Sequence, residues 1–357
     1  MRIFSCAHCG QMIYFENTHC EHCGYEFGFN HETLSLETLK SNGYNGFFDY
    51  NSNLPYQYCS NHQYSVCNWI VPAGNPNQFC TACQLNKTIP NIASPHNIEL
   101  WKLIEKAKHR LLYSLYKLKL PLVSKYDDAI NGLAFDFLEN HGPNERVITG
   151  HSDGLITINI EEADDVFREA ERKKMGEPYR TLLGHFRHEV GHYYWTRLIE
   201  NNDSLLYEFR QIFGNEQRDY GGALQWYYQN GAPVGWQQYH ITVYASSHPW
   251  EDWAETWAHY LHMMDTLETA WSFGLSVKAR NIPIQRQVSA TLDTDPYEIE
   301  NFREIITQWL PFTYAMNSIN RSMGINDLYP FVMSDWVITK LDFIHRVCRA
   351  QRVPPKN

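Results

Sequence analysis

His188, Glu189 and His192 form the pattern HExxH inside LLGHFRHEVGHYYW, residues 182–195. Residues four apart on a helix share one face, so both imidazoles can be offered to a single metal ion. Glu189 falls one step round, where a carboxylate can take a proton from water at that ion's remaining position. The chain holds 17 histidines, and two of them on one helix also occur with no metal. The pattern therefore needs a third ligand from elsewhere in the chain.

A candidate lies in YASSHPWEDWAETWAHYLHMMDTLETA, residues 244–270. Pro249 suits the first turn of a helix, and Glu251 and Glu255 then sit one turn apart on one face. Glu251 is the expected third ligand. Glu255 is expected to hold the far nitrogen of a zinc histidine, which fixes its tautomer. Trp253, Trp257 and Tyr260 would take the buried side. An amphipathic helix with two acids on its wet face is the alternative for either carboxylate taken alone. His185, His248, His259 and His262 are assigned to supporting roles, because a fourth protein ligand would close the position that catalysis needs.

Cysteine usage is uneven, since eight of the nine cysteines precede residue 84. Cys6, Cys9, Cys20 and Cys23 are spaced CxxC-x10-CxxC, and each pair is followed by glycine. That spacing predicts a closed four-thiolate zinc site, with a redox dithiol pair as the alternative. Cys59, Cys67, Cys80 and Cys83 predict a second such site, with His62 a possible substitute ligand. The segment is expected to lean on its metals rather than on a core of its own. Cys348 is expected to be a small buried apolar residue.

The 357 residues, 43% hydrophobic, suit a large domain with a small appendage: a zinc-ribbon module over 1–90 and a second domain over 91–357. Residues 87–98 read as a linker. A net charge of −10 opposes nucleic-acid binding, and residues 1–90 alone carry three Lys or Arg against six Asp or Glu. No apolar run is long enough for a membrane span, and MRIFSCAHCG is unlike a secretory leader, so a cytoplasmic location is expected.

The elements that must position these residues follow from periodicity. Glu99–Leu118 has helical spacing, as do 215–230 and the segment around VITKLDFIHRVC. Leu133–Leu138, Val147–Ile148 and LITINI (155–160) read as strands. The last of these is placed to pair with an extended substrate along its edge. Residues 161–180 read as a charged helix whose pattern Pro178 interrupts.

Taken together, YRTLLGHFRHEVGHYYW (179–195), HPWEDWAETWAHYLH (248–262), NRSMGINDLYPFV (320–332) and the cysteine pairs resemble the bacterial zinc-binding metallopeptidase family of the Mx type. That family is of the gluzincin kind, with HExxH, a distant Glu ligand and an N-terminal zinc ribbon. The EDWAE around Glu251 is similar to the EFFAE of lethal factor and the minigluzincins. That resemblance makes the first Glu a zinc ligand and Tyr244, seven residues before it, a donor to the transition-state oxyanion; by its residue type alone Tyr244 is equally a packed aromatic. The expected fold is α+β: a gluzincin-like domain with a small mixed sheet and a mostly helical C-terminal half behind the ribbon module. The expected function is zinc-dependent hydrolysis of peptide bonds with Glu189 as general base, one catalytic and two structural Zn2+, and a peptide or protein substrate. The ribbons are expected to dock a protein if they dock anything. The alternative is a zinc-ribbon adaptor whose peptidase-like domain binds without cutting.

Overall fold

The computed structural model describes residues 2–43, 46–140, 142, 145–175, 177, 179–280 and 288–352. Pro178, expected to break a helical pattern, lies outside the described residues. Two compact units divide the chain, Met1–Phe186 and Arg187–Asn357.

The first unit opens with a hairpin of β1 (Phe4–Ser5) and β2 (Met12–Ile13). An antiparallel five-stranded meander follows: β3 (Glu26–Asn30), β4 (Ser35–Ser41), β5 (Phe47–Asp49), β6 (Pro55–Tyr58) and β7 (Ile70–Pro72). This sheet corrects the expectation of a segment that leans on its metals rather than on a core of its own. Phe27, Phe29 and Trp69 are all fully buried, and Phe29 meets Phe15 edge to face at 4.7 Å. At about 1.5–3 kcal/mol for each buried large apolar side chain, burial contributes to the same unit as the cysteines.

The predicted linker is also more ordered than expected. Asn86–Thr88 forms β8, and helix α1 (Pro95–Lys117) begins inside the supposed linker. The cause is local: Ser94 caps the helix by accepting from the Asn97 amide, and Pro95 fills the first turn, where no N–H is needed. Tyr113 of α1 packs on Phe15 at 5.8 Å and Phe29 at 6.2 Å.

Next come β9 (Ala134–Leu138), β10 (Gly150–Ser152) and β11 (Leu155–Asn159), which with β8 form a mixed sheet in the order β10-β11-β9-β8. β10 and β11 are joined by a two-residue turn at Asp153 and Gly154, both with positive φ, as tight hairpins require. The Val147–Ile148 pair is not a strand, and Ile148 is 83% exposed. β11 pairs along its length with β9 and over Leu155–Thr157 with β10, so most of the edge a substrate would use is taken. That expectation is corrected. Helix α2 (Asp165–Met175) carries the charged segment, and Phe186 packs on Phe135 and Phe137.

Helix α3 (Leu182–Leu198) carries HExxH and continues into the second unit. That unit adds α4 (Asp203–Ile212), α5 (Tyr220–Asn230), α6 (Pro249–Ser272), the hairpin of β12 (Ser276–Lys278) and β13 (Ser289–Thr291), α7 (Phe302–Ser322) and α8 (Asp335–Ala350). α6 is its axis. His248 caps it by accepting from the Trp250 amide, and Pro249 occupies the first turn. Trp253, Trp257 and Tyr260 are fully buried. Trp257 stacks on Tyr194 of α3 at 5.1 Å, and Trp253 meets Phe343 of α8 at 6.1 Å. Cys348 is fully buried in α8. Among the described residues no helix is long and apolar enough to cross a membrane.

Candidate metal centre

The x-Gly-His of HEVGH sets how closely α3 and α6 approach. A Cβ on Gly191 would lie 3.1 Å from Ala254 Cα and 3.2 Å from Trp257 Cβ, so glycine lets the two backbones close up. The Trp253 indole then donates to the Gly191 carbonyl at 2.8 Å, tying the helices at that crossing. The contact places one turn of α3 beside the first turn of α6. His188 and His192 thereby face Glu251 and Glu255.

Three donor atoms converge there. His188 Nε2 is 3.0 Å from Glu251 Oε2, His192 Nε2 is 3.2 Å from His188 Nε2, and His192 Nε2 is 3.5 Å from Glu251 Oε2. Zinc binds nitrogen and oxygen at about 2.0–2.1 Å, and a tetrahedron of that radius has edges of about 3.3–3.4 Å. The observed triangle fits those edges. Two nitrogens and one oxygen are also the donor set that zinc favours, and three leave a fourth position.

The remaining atoms of these ligands are held. Glu255 Oε1 lies 2.6 Å from His188 Nδ1, which fixes the proton on Nδ1 and turns the Nε2 lone pair to the triangle. Glu251 is buried, and its second oxygen accepts from the Tyr220 hydroxyl at 2.7 Å. Burial opposes charge on both partners, yet hydrogen bonds from the His188 ring to Glu251 and Glu255, and their charge, hold the imidazole well above its usual pKa. Glu251 is likewise held well below the carboxylate range, against its burial, by His192 and His188.

Glu189 is half-buried on α3, one residue after His188. Tyr244 lies 6.0 Å from His188, ring to ring. Burial, then the charge of Glu251, pushes the Tyr244 and Tyr220 phenols far above their usual pKa, so both keep their protons. Glu189 also acts on Tyr220 through its charge. Tyr220 was not found in the sequence. It opens another helix, 31 positions before Glu251, and no spacing links the two.

The other four histidines lie outside the triangle. His248 caps α6, and His259 accepts or donates to the Tyr329 hydroxyl at 2.7 Å. His262 meets Arg187 at 2.5 Å, and His185 pairs with Glu162 at 3.4 Å.

The cysteines gather into two clusters of four in the first unit. Cys6 and Cys23 sulfurs are 3.7 Å apart, Cys9 and Cys20 are 3.6 Å apart, and Cys67 and Cys80 are 3.7 Å apart. A disulfide needs about 2.05 Å, whereas four sulfurs at about 2.3 Å from zinc stand about 3.8 Å apart. The clusters fit zinc. Gly10 and Gly24 follow the CxxC pairs with φ of 75° and 77°, the left-handed turn that lets each knuckle close. Burial raises the Cys20 thiol, but backbone amides of Cys23 and His22 lower it to about 7.

The second cluster is buried throughout, and its neighbours on α1 were also missed in the sequence. His109 Nε2 lies 3.8 Å from Cys67 Sγ and 3.5 Å from Glu105, and its ring stacks on Trp69 at 5.0 Å. Lys108, fully buried, pairs with Glu105 at 2.8 Å. Cys83, Glu105 and His109 also form a possible ligand group, but it shares Cys83 with the four-sulfur set. Four thiolates around Zn2+ would leave a net negative charge, and Lys108 is placed to offset it out of water. His62 is not in either cluster: it stacks on Tyr58 at 3.8 Å and reaches the Cys67 carbonyl.

With this geometry in hand, comparison with known proteins gives two family matches. Residues 97–347 match the family described as putative zinc-binding metallo-peptidase, and residues 3–94 match a zinc-ribbon domain. The chain belongs to this zinc-binding metallo-peptidase family. It is a mixed α/β protein with zinc-ribbon-like cysteine clusters and a metallopeptidase-like domain. Uncharacterized proteins of Mycobacterium bovis (strain ATCC BAA-935 / AF2122/97) and Mycobacterium tuberculosis (strains CDC 1551 / Oshkosh and ATCC 25618 / H37Rv) are each 41% identical to it over 347 residues. The match spans 97% of this chain and 95% of each relative. No solved structure gives a significant match.

Proposed function

We propose that the chain is a gluzincin-like zinc peptidase, with one catalytic zinc on His188, His192 and Glu251 and two structural zincs on the cysteine clusters. The observation that carries the reading is the triangle of 3.0, 3.2 and 3.5 Å, which suits tetrahedral zinc and leaves one position open. The two four-cysteine sets leave none. We also assign residues 1–90 to the ribbon module and 91–357 to the peptidase domain, near the boundary between the two family matches.

Zinc at this position would lower the pKa of water toward ~7 and polarise the scissile carbonyl. The chain's own groups do the rest. Glu189 takes the proton of the attacking water and returns it to the leaving amine. Tyr244, held in its protonated form by burial and Glu251, donates to the oxyanion that develops on the carbonyl. Tyr220 and Glu255 do not touch substrate in this reading; they hold Glu251 and His188 in line.

The test is a peptide-library cleavage assay on the zinc-loaded chain, with a hydroxamate added in a parallel series. Cleavage that the hydroxamate inhibits competitively is the expected result. A chain that holds zinc on the triad and cuts no peptide would instead support the adaptor alternative.

A further inference from the structure

Helix α5 is unusual in what it lacks. Its sequence YGGALQWYYQN has no buried residue, although exposed helices normally carry charge on the wet face. In a chain where 20% of residues are charged, no Asp, Glu, Lys or Arg occurs from Tyr220 to Trp250. Large side chains stand in water instead. Trp226 is 54% exposed and Tyr228 67%, and Val234, Tyr239 and Val243 beyond the helix are exposed too. Exposed apolar surface gathered in this way marks a binding face more often than a bare one.

The helix is anchored at the metal centre from both ends of one stripe. Tyr220, at its start, donates to Glu251 at 2.7 Å. Two turns on, Tyr227 meets Tyr244 edge to face at 5.8 Å. Tyr228 is near enough to raise the pKa of both Tyr220 and Tyr244. Tyr220, Leu224 and Tyr227 share a face at helical spacing, and that face is the one turned to the site. Tyr228, one turn beyond Leu224 at the edge of that face and exposed, thus continues from the residues around the metal.

We propose that α5 is a substrate-binding wall, and that it selects peptides whose side chains beside the scissile bond are uncharged and apolar or aromatic. This rests on the peptidase reading above and names its substrate class. Trp and Tyr rings offer area for apolar and aromatic side chains at little entropic cost. A charged side chain would lose water against a surface that offers no counter-charge from Tyr220 to Trp250.

The test measures binding and cleavage separately. Binding is read by calorimetry and tryptophan fluorescence on the zinc-loaded full-length Glu189→Gln variant. The probes are capped hexapeptides with Phe, Leu or Tyr at the central positions, and the same peptides with Asp or Lys there. The uncharged peptides are expected to bind about tenfold tighter, and Tyr228→Ala to weaken them about tenfold. The Tyr228 side chain is exposed, so the melting temperature should not move. Leu224→Lys should raise the affinity of the Asp peptides selectively. Equal binding of charged and uncharged peptides, indifference to these substitutions, or binding of an oligosaccharide in place of peptides would overturn the wall. Cleavage by the wild-type chain without discrimination also overturns it, while leaving the peptidase reading intact. Discriminating binding with no wild-type cleavage supports the wall and removes the peptidase reading.

Discussion

The cysteine clusters and the histidine triangle, in the proposed reading, would use the same metal geometry to opposite ends. Each cysteine cluster brings four sulfurs about a tetrahedral edge apart and surrounds them with backbone turns, stacked rings and, in the second, the buried Lys108–Glu105 pair. The triangle brings three donors together at the same kind of spacing and surrounds them with groups that give or take protons: Glu189, Tyr220 and Tyr244. Donor count separates the two. A completed tetrahedron can only stabilise, while an incomplete one has room for a reactant. Their origins differ too, since one is written in short knuckles and the other in two helices that meet at Gly191.

The largest effects should come from removing a donor. His192→Ala should cost the chain one zinc of three and bring hydrolysis to background, with the first unit's fold intact. Cys67→Ala should do the reverse. Structural zinc is worth ~10–16 kcal/mol in small domains, so residues 2–94 should lose amide protection in hydrogen exchange. Equal loss of structure in both variants would break the comparison.

The groups that support the triangle should matter less. Tyr220→Phe removes the hydroxyl from Glu251, and Glu255→Gln weakens the hold on His188. Each is expected to lower zinc affinity at the triangle about 10–100-fold, read by chelator competition, with the cysteine-bound zinc unchanged. Gly191→Ala should destabilise by about 1–3 kcal/mol, because Ala254 and Trp257 must give way. Its melting temperature should fall and its zinc affinity at the triangle should fall with it.

A pH effect sharpens the contrast. Zinc must displace a proton from His188, whose pKa the two carboxylates hold well above the ordinary 6.5. Affinity at the triangle should therefore rise with pH through neutrality and level off only above that raised value. In the metal-free chain the sign reverses. Stabilisation from charged His188 is fully present below ~6.5 and is lost as pH rises through the raised value. Thermal melts of metal-free and zinc-loaded protein across that range should diverge.

Much of the candidate site was legible because its members repeat at helical spacing. His188 and His192, and Glu251 and Glu255, are pairs four apart, and Pro249 marked the helix start. Tyr220 and His109 were not legible, since each reaches its partner only after two distant elements pack together. The fold divides in the same way. α1, α6, α8 and β11 showed their period, whereas β3 through β7 did not. β5, β6 and β7 are only three or four residues long, and β3 is buried on both faces around Gly28, which erases the alternation that identifies a strand. β8, the triplet Asn86–Thr88, has no apolar pattern and owes its place to pairing with β9. Val147–Ile148 shows the converse, an apolar pair that forms no strand and leaves Ile148 in water.

The most direct test of the central claim is peptide hydrolysis by wild type and Glu189→Gln at matched zinc content, with the metal measured on the same samples. The account predicts close to three zinc ions per chain in both, and a rate about 10²–10⁴-fold lower in the variant. Equal rates at equal zinc content, or a wild type that holds its triangle zinc and cleaves nothing, would contradict it.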